Sequence, residues 1–381
     1  MGGVRFSEQV PAHGGRPQRN RATTGKPEFT DVRSVAVAYG ARMSAEATTE
    51  ILVAQPLSWS RVRRALAALY ALVLVVFVLT EGVPTERLSL FAWVLTGLSI
   101  GCVGRGWRAM AGLVLDWLPF LGVLVLYDLT RGLADTLGMP VHVSDLAALE
   151  SSLFGGTLPT VWLQDHLYPS SDWGAGGDGA WWHVVVTAVY VSHFLVTPVI
   201  AAVLWLRNRR RWISFTAHFV GVALVGVATY ILLPAAPPWY AAARGVIPEV
   251  ERLSGLGWDV LGLHTAGALL DQGQAKVNLV AALPSLHTAY AVLVLMFFWP
   301  LLSRAARSLL TFYPLLMGFV LVYAGEHYVV DVLLGWVCAG IVVAGITLIS
   351  RAWQRHHQVE VIPSSHTQQQ PLVGAVSADR R

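Results

Sequence analysis

Eight apolar runs separated by short polar segments occupy the chain, at 62–80, 88–104, 109–127, 182–206, 213–233, 284–302, 308–324 and 329–350. A helix needs roughly 20 apolar residues to cross a hydrocarbon core about 30 Å thick, whereas a barrel strand needs about ten. The runs have the helical length, so the pattern predicts an all-α, polytopic transmembrane bundle of about eight spans and no barrel. The runs at 88–104 and 308–324 are the short ones, and Pro119 and Pro198 interrupt two others, where kinks are expected. No internal repeat is visible.

Composition removes the soluble alternative. Only 13% of the residues are charged and 55% are hydrophobic, against about 25% charged in a soluble domain. The arginines are clustered rather than scattered. Arg61, Arg63 and Arg64 precede the first run, Arg105 and Arg108 follow the second, and Arg207, Arg209, Arg210 and Arg211 follow the fourth. Arg304 and Arg307 follow the sixth, and Arg351 and Arg355 close the eighth. With eight spans every cluster falls on one side, which the positive-inside rule makes cytoplasmic together with both termini. The net charge of +4 is therefore a topology signal and no sign of nucleic-acid binding. Fifteen tryptophans and eleven tyrosines fit interfacial belts and internal packing equally.

Cys102 and Cys338 fall inside predicted spans, which argues against a disulfide or a cysteine metal site. Residues 1–60 and 353–381 are polar and read as disordered cytoplasmic tails around a catalytic domain at 61–352. No apolar core stands near Met1, so no cleaved leader is expected, and Met43 offers an alternative start.

Two long connections, about 128–181 and 234–283, lie on the side opposite the arginines. The first holds a semi-apolar stretch from Leu146 to Leu167, broken by Gly155-Gly156 and Pro159, which predicts two short interfacial helices. Two polar motifs emerge on the same side, Pro284-Ser285-Leu286-His287 and Gly325-Glu326-His327-Tyr328-Val329-Val330-Asp331. Ionisable residues at membrane depth are costly and mark functional sites. His327 and Asp331 are four apart, on one face of a helix. A carboxylate that accepts from one imidazole nitrogen leaves the other free to act as a nucleophile. The same pair also fits a helix-start contact kept for stability.

Pro284 and Ser285 are helix-start residues, and a helix N-terminus attracts phosphate. His287 is not explained by capping and suggests a general acid. His183 and His218 read as ordinary core histidines, whereas His193 fits either a substrate contact or a satisfied core residue. Trp239 and Tyr240 fit headgroup stacking or interfacial anchoring equally.

Pro284-Ser285-x-His287 followed by His327-x-x-x-Asp331 resembles the second and third motifs of the type-2 phosphatidic acid phosphatase superfamily. In that superfamily the later histidine attacks phosphorus, the aspartate orients it, and the earlier histidine protonates the leaving oxygen. The resemblance implies a six-helix catalytic core. Tyr190-x-x-His193-Phe194-x-x-x-Pro198 and Pro237-Pro238-Trp239-Tyr240 resemble the inositolphosphotransferase branch, which includes inositol phosphorylceramide synthase. Asp116-Trp117-x-Pro119-Phe120, Tyr127-Asp128-x-x-Arg131-Gly132 and Phe154-Gly155-Gly156-x-x-Pro159-Thr160 are similar to bacterial members of it, so the resemblance covers about residues 105–350.

Two departures stand out. The basic residues of the phosphatase's first motif are replaced by Leu233-Pro234-Ala235-Ala236-Pro237-Pro238, and the arginine six residues before the nucleophile is replaced by Leu321. A cation must still balance the phosphoryl group, and Arg131, Arg244, Arg252 and Lys276 are the candidates on that side. Arg131 and Arg244 come first because each follows closely on a helix end.

The resemblance therefore implies catalysis by His327, Asp331 and His287, with Arg131, Arg244, Lys276, Ser285, His193 and Tyr240 binding substrate. No metal or other cofactor is expected. The expected partners are a phospholipid or polyprenyl phosphate, a lipid alcohol or water as acceptor, and the membrane itself. The activity implied is transfer of a phospho-headgroup, phosphoinositol by resemblance, through a phosphohistidine, at a multi-pass cell-membrane site facing the periplasm or exterior. A lipid phosphate or polyprenyl diphosphate phosphatase is the alternative. A transporter would place its polar residues near mid-membrane on broken helices, often with repeats, and the sequence shows neither.

Overall fold

A computed structural model describes residues 58–82, 87–130, 137–168, 180–275 and 278–359. Of the expected tails, residues 1–57 and 360–381 lie outside the described residues, whereas 59–60 and 353–359 are helical. The first three apolar runs form α1 (Trp59–Glu81), α2 (Arg87–Ile100) and α3 (Trp107–Leu129). The first long connection holds the two short helices expected there, α4 (Ser144–Leu153) and α5 (Pro159–Leu167). Then come α6 (Ala180–Arg207), α7 (Arg209–Leu232) and three short helices of the second connection, α8 (Pro238–Ala243), α9 (Leu256–Val260) and α10 (His264–Ala275). The last three runs form α11 (Leu286–Phe298), α12 (Arg304–Tyr323) and α13 (Val329–Val359), the last continuing past the expected boundary at 352.

Among the described residues six helices, α1, α3, α6, α7, α12 and α13, are long and apolar enough to cross a membrane. The other two apolar helices are shorter. α2 has 14 residues, about 21 Å at 1.5 Å per residue. The second short helix is α11 and not α12, which has 20 residues. α11 starts late, capped by Ser285, and its last turn tightens at Trp299–Leu301, where Pro300 supplies no N–H. α3 and α6 run through Pro119 and Pro198 as continuous helices.

α11 sits at the centre, against α13, α12, α7 and α6. Gly335 on α13 permits the closest approach, because a Cβ there would lie 2.4 Å from the Ser285 carbonyl oxygen. α3 packs on α7, and Asp116 ties the two: it accepts 2.7 Å from the Trp205 indole N–H and pairs with Arg209. Cys102 and Cys338 are free and buried in the same apolar core. α1 buries no residue and leans on α2, where the Tyr70 hydroxyl donates 2.8 Å to the Trp93 carbonyl.

Three loop segments join above the helices. His142 and Ala235 form one parallel bridge, Ala235 and Ala281 another. The Ala235 N–H donates 2.8 Å to Val280 and the Ala236 N–H 3.0 Å to His142. The apolar segment that replaces the first phosphatase motif is thus the middle of a small backbone ladder, with Ala235 and Ala236 fully buried.

Candidate active site

The turn between α12 and α13 carries His327. α12 ends with Gly325 in the left-handed region (φ 74°), where the Glu326 N–H returns 3.0 Å to Leu321 and the Gly325 N–H 3.3 Å to Val322. This is a Schellman end. A side chain at Gly325 would also meet Val250 at 2.8 Å and the Glu251 carbonyl at 2.9 Å. Leu321, in place of the phosphatase arginine, is completely buried and contributes its carbonyl to this turn.

α13 begins at Val329, so His327 lies just before the helix and not on its face. The two side chains nevertheless approach each other, at ion-pair distance and without a hydrogen bond between them. His327 Nδ1 stands 3.4 Å from Asp331 Oδ2, which also accepts 2.9 Å from the Tyr328 N–H. Asp331 is fully buried, and its Oδ1 has no hydrogen-bond partner among the described residues.

α11 is fixed to the same helix. The Ser285 N–H donates 3.0 Å to the Asp331 carbonyl, and the Thr288 hydroxyl donates 3.2 Å to the Val332 carbonyl. The Pro284 carbonyl accepts 2.9 Å from Tyr230. Ser285 caps α11 by accepting from the Thr288 N–H. These contacts bring His287, in the first turn, to a ring-centroid distance of 5.5 Å from His327. On its other side His287 lies 4.0 Å from the ring of His193 and 5.2 Å from that of Tyr190, both on α6. His193, His287 and His327 open together into one end of a cavity of about 210 Å³ whose remaining lining is largely aromatic and aliphatic.

A second polar cluster backs the turn. Glu326 accepts 2.8 and 2.9 Å from Arg252 and 2.6 Å from Ser254. Gln274 donates 3.0 Å to Ser254 and 3.3 Å to the Tyr190 hydroxyl. Arg252 also lies 4.8 Å over the Trp239 ring. Its burial acts to lower the guanidinium pKa, but the Glu326 carboxylate more than offsets this and holds it above its ordinary value. The Trp239 N–H donates 3.1 Å to the Gly325 carbonyl, which joins the Pro-Pro-Trp-Tyr segment to the turn that carries His327.

Glu150, a residue the sequence reading passed over, completes the frame. It is fully buried on α4, and its two carboxylate oxygens accept from the Val329 and Val330 N–H groups at 2.8 and 3.2 Å. It therefore caps the N-terminus of α13 from another helix. Burial raises its pKa above the ordinary carboxylate value, opposed by the two N–H bonds. The sequence carried a signal for it, since Glu150 shares the buried face of α4 with Leu146 and Ala147. Gln164 on α5 acts similarly, donating 2.8 Å to the Tyr323 carbonyl and accepting 2.9 Å from the Glu251 N–H.

The structure thus brings His327, Asp331, His287, Ser285 and His193 together. Arg244 and Tyr240 pair elsewhere: the exposed guanidinium donates 2.6 Å to the Tyr240 hydroxyl, and neither residue lines the cavity. Arg131 and Lys276 lie outside the described residues. His218 takes the ordinary core role, with Nδ1 2.7 Å from the Ser214 carbonyl on its own helix.

Comparison with known proteins bears on this arrangement. A family model described as the PAP2 superfamily matches residues 177–345. A phosphoinositol dihydroceramide synthase of Bacteroides thetaiotaomicron is 28% identical over 238 residues, 58% of this chain and 72% of that protein. The inositol phosphorylceramide synthase catalytic subunit of Saccharomyces cerevisiae is 23% identical over 240 residues, 59% of this chain. The chain spans about half of that yeast protein, 54% of its length. No solved structure matches.

Proposed function

We propose that the chain, whose residues 177–345 match the PAP2-superfamily model, transfers a phosphoinositol headgroup from one lipid to the hydroxyl of another. The observation that carries this reading is the cluster of His327, Asp331 and His287 at the polar end of an apolar cavity. Nδ1 of His327 faces Asp331, so Nε2 is the nucleophile. It attacks phosphorus, the N–P bond forms as the P–O bond to the donor's glyceride alcohol breaks, and His287 gives its proton to that oxygen. The acceptor hydroxyl then gives its proton to His287 and takes the phosphoryl group, restoring His327. Asp331 balances the imidazolium character that develops on His327.

The phosphate needs a cation, and Arg252 is already neutralised by Glu326. Arg131 and Lys276 are assigned that task. Their neighbours support it: Asn278 Nδ2 stands 3.4 Å from both Thr130 oxygens, and nearby Tyr127 and Ala281 line the cavity. With eight spans, the arginine clusters support a site facing away from the cytoplasm. The relatives' names point to a ceramide-type acceptor, and an apolar cavity favours such an alcohol over water.

The test supplies labelled phosphatidylinositol and a mixed pool of lipid alcohols to wild type and His327→Ala in membranes. Label in a new lipid, absent with the variant, is expected. Release of inositol phosphate or inorganic phosphate without a new lipid would turn the reading to a hydrolase, and no turnover of any phospholipid would end it.

A further inference from the structure

The cavity reaches well beyond the histidines. From Tyr127 near its polar end to Trp117 it follows α3 for ten residues, about 15 Å at 1.5 Å per residue. That is half of a hydrocarbon core about 30 Å thick, the depth of one leaflet. Its floor is a continuous run of rings. Trp117 lies 4.9 Å from Phe120, Phe120 stacks on Phe219 at 4.6 Å, and Phe219 stacks on Tyr290 at 4.8 Å. Tyr290 is 5.8 Å from His193, which meets His287 at 4.0 Å. α2 adds a further wall through Phe91 and Val94. Helices α2 and α3 both precede the region matched by the family model.

We infer that this cavity is a single hydrocarbon-chain site used twice in each cycle, first by the donor's alcohol and then by the acceptor's, with Trp117, Phe120 and Val94 setting the chain length accepted. The inference rests on the transfer reading above. In a phosphoryl displacement the attacking and leaving atoms stand in line across phosphorus. The donor's oxygen therefore departs on the side opposite His327, the side of His287. When the acceptor oxygen displaces the His327 nitrogen, it must enter opposite that nitrogen, at the place the donor oxygen vacated. One general acid–base and one chain cavity then serve both alcohols. While a chain fills the cavity, water has no apolar route to the phosphohistidine, and the vacancy lasts only for the exchange.

A panel of phosphatidylinositols and a panel of ceramide-type acceptors, each graded in chain length, would be assayed with wild type, Val94→Phe and Phe120→Ala. Val94→Phe narrows the cavity and is expected to shift kcat/KM toward shorter chains by fivefold or more, equally in both panels. Phe120→Ala is expected to shift both toward longer chains. A shift confined to one panel, or none in folded variants, would overturn the shared site. Should either variant fail to fold, wild type alone decides. A donor and an acceptor carrying a diazirine in mid-chain should each label the α3 segment around Trp117 and Phe120, and each should be displaced by the other. Labelling by one only, or of membrane-facing α1 alone, would overturn it as well. A wild type that transfers nothing would instead defeat the functional reading beneath it.

Discussion

Two polar clusters meet at the Glu326–His327 peptide, and they differ in how completely they are bonded. Behind the turn, Glu326, Arg252, Ser254 and Gln274 satisfy one another through short hydrogen bonds. On the cavity side, His327 and Asp331 approach to 3.4 Å, and one aspartate oxygen is buried with no partner among the described residues. Buried polar atoms are almost always paired, so a fully bonded cluster reads as architecture, and an incompletely bonded one needs a reason other than architecture. The two clusters share a turn of five residues, 324–328, which makes the contrast unusually direct to test.

The largest effect is expected at His327. His327→Ala should lower headgroup transfer on the order of 10³-fold or more, with a Tm within a few degrees of wild type by differential scanning fluorimetry in detergent. Asp331→Asn comes next, with a loss of about 10²–10⁴-fold in kcat at little change in KM. Glu326→Ala belongs to the other cluster and should act on stability. It leaves Arg252 largely buried without its partner, a cost of roughly 3–5 kcal/mol, whereas Arg252→Met/Glu326→Leu should recover most of the lost Tm. If that double variant were stable and inactive, the division between the clusters would collapse.

Glu150→Ala should cost about 0.5–2 kcal/mol, the scale of a lost helix cap. A pH series sharpens this. Because burial raises its pKa, the carboxyl stabilises the fold fully below its ordinary value of 4.5, and the contribution is lost as pH rises through the raised folded value. The Tm advantage of wild type over Glu150→Gln should therefore shrink from pH 4.5 toward neutrality. The smallest effect is assigned to Arg244→Ala, within about 0.5 kcal/mol and about twofold in transfer, since among the described residues its guanidinium pairs with Tyr240 alone. A large loss there would return Arg244 to the phosphate.

The helices were legible in the sequence because apolar length decides them. The two histidine motifs were legible because spacing and capping chemistry are local, and Gly325 and Ser285 mark the turn and the cap that present them. What escaped was long-range. Glu150 reaches across from α4 to cap α13, and Arg252 finds Glu326 from a distant loop. No periodicity encodes such partners, so Arg252 stood among the candidate cations, behind Arg131 and Arg244, although its carboxylate partner is Glu326. The short span was likewise misassigned, because the Ser285 cap and the tightening at Pro300 shorten α11 from both ends while leaving its apolar run intact.

The backbone ladder of His142, Ala235 and Ala281 has a consequence in time as well as in space. Its three segments belong to two connections far apart along the chain, and closing such long loops is entropically slow compared with forming helices. The helices can be in place while the ladder is still open, and until it zips, the second connection that supplies Arg252 and Gln274 is untethered beside the His327 turn. Ladder amides should therefore gain hydrogen-exchange protection after those of α11 and α13, so that maturation of the site lags behind insertion of the bundle.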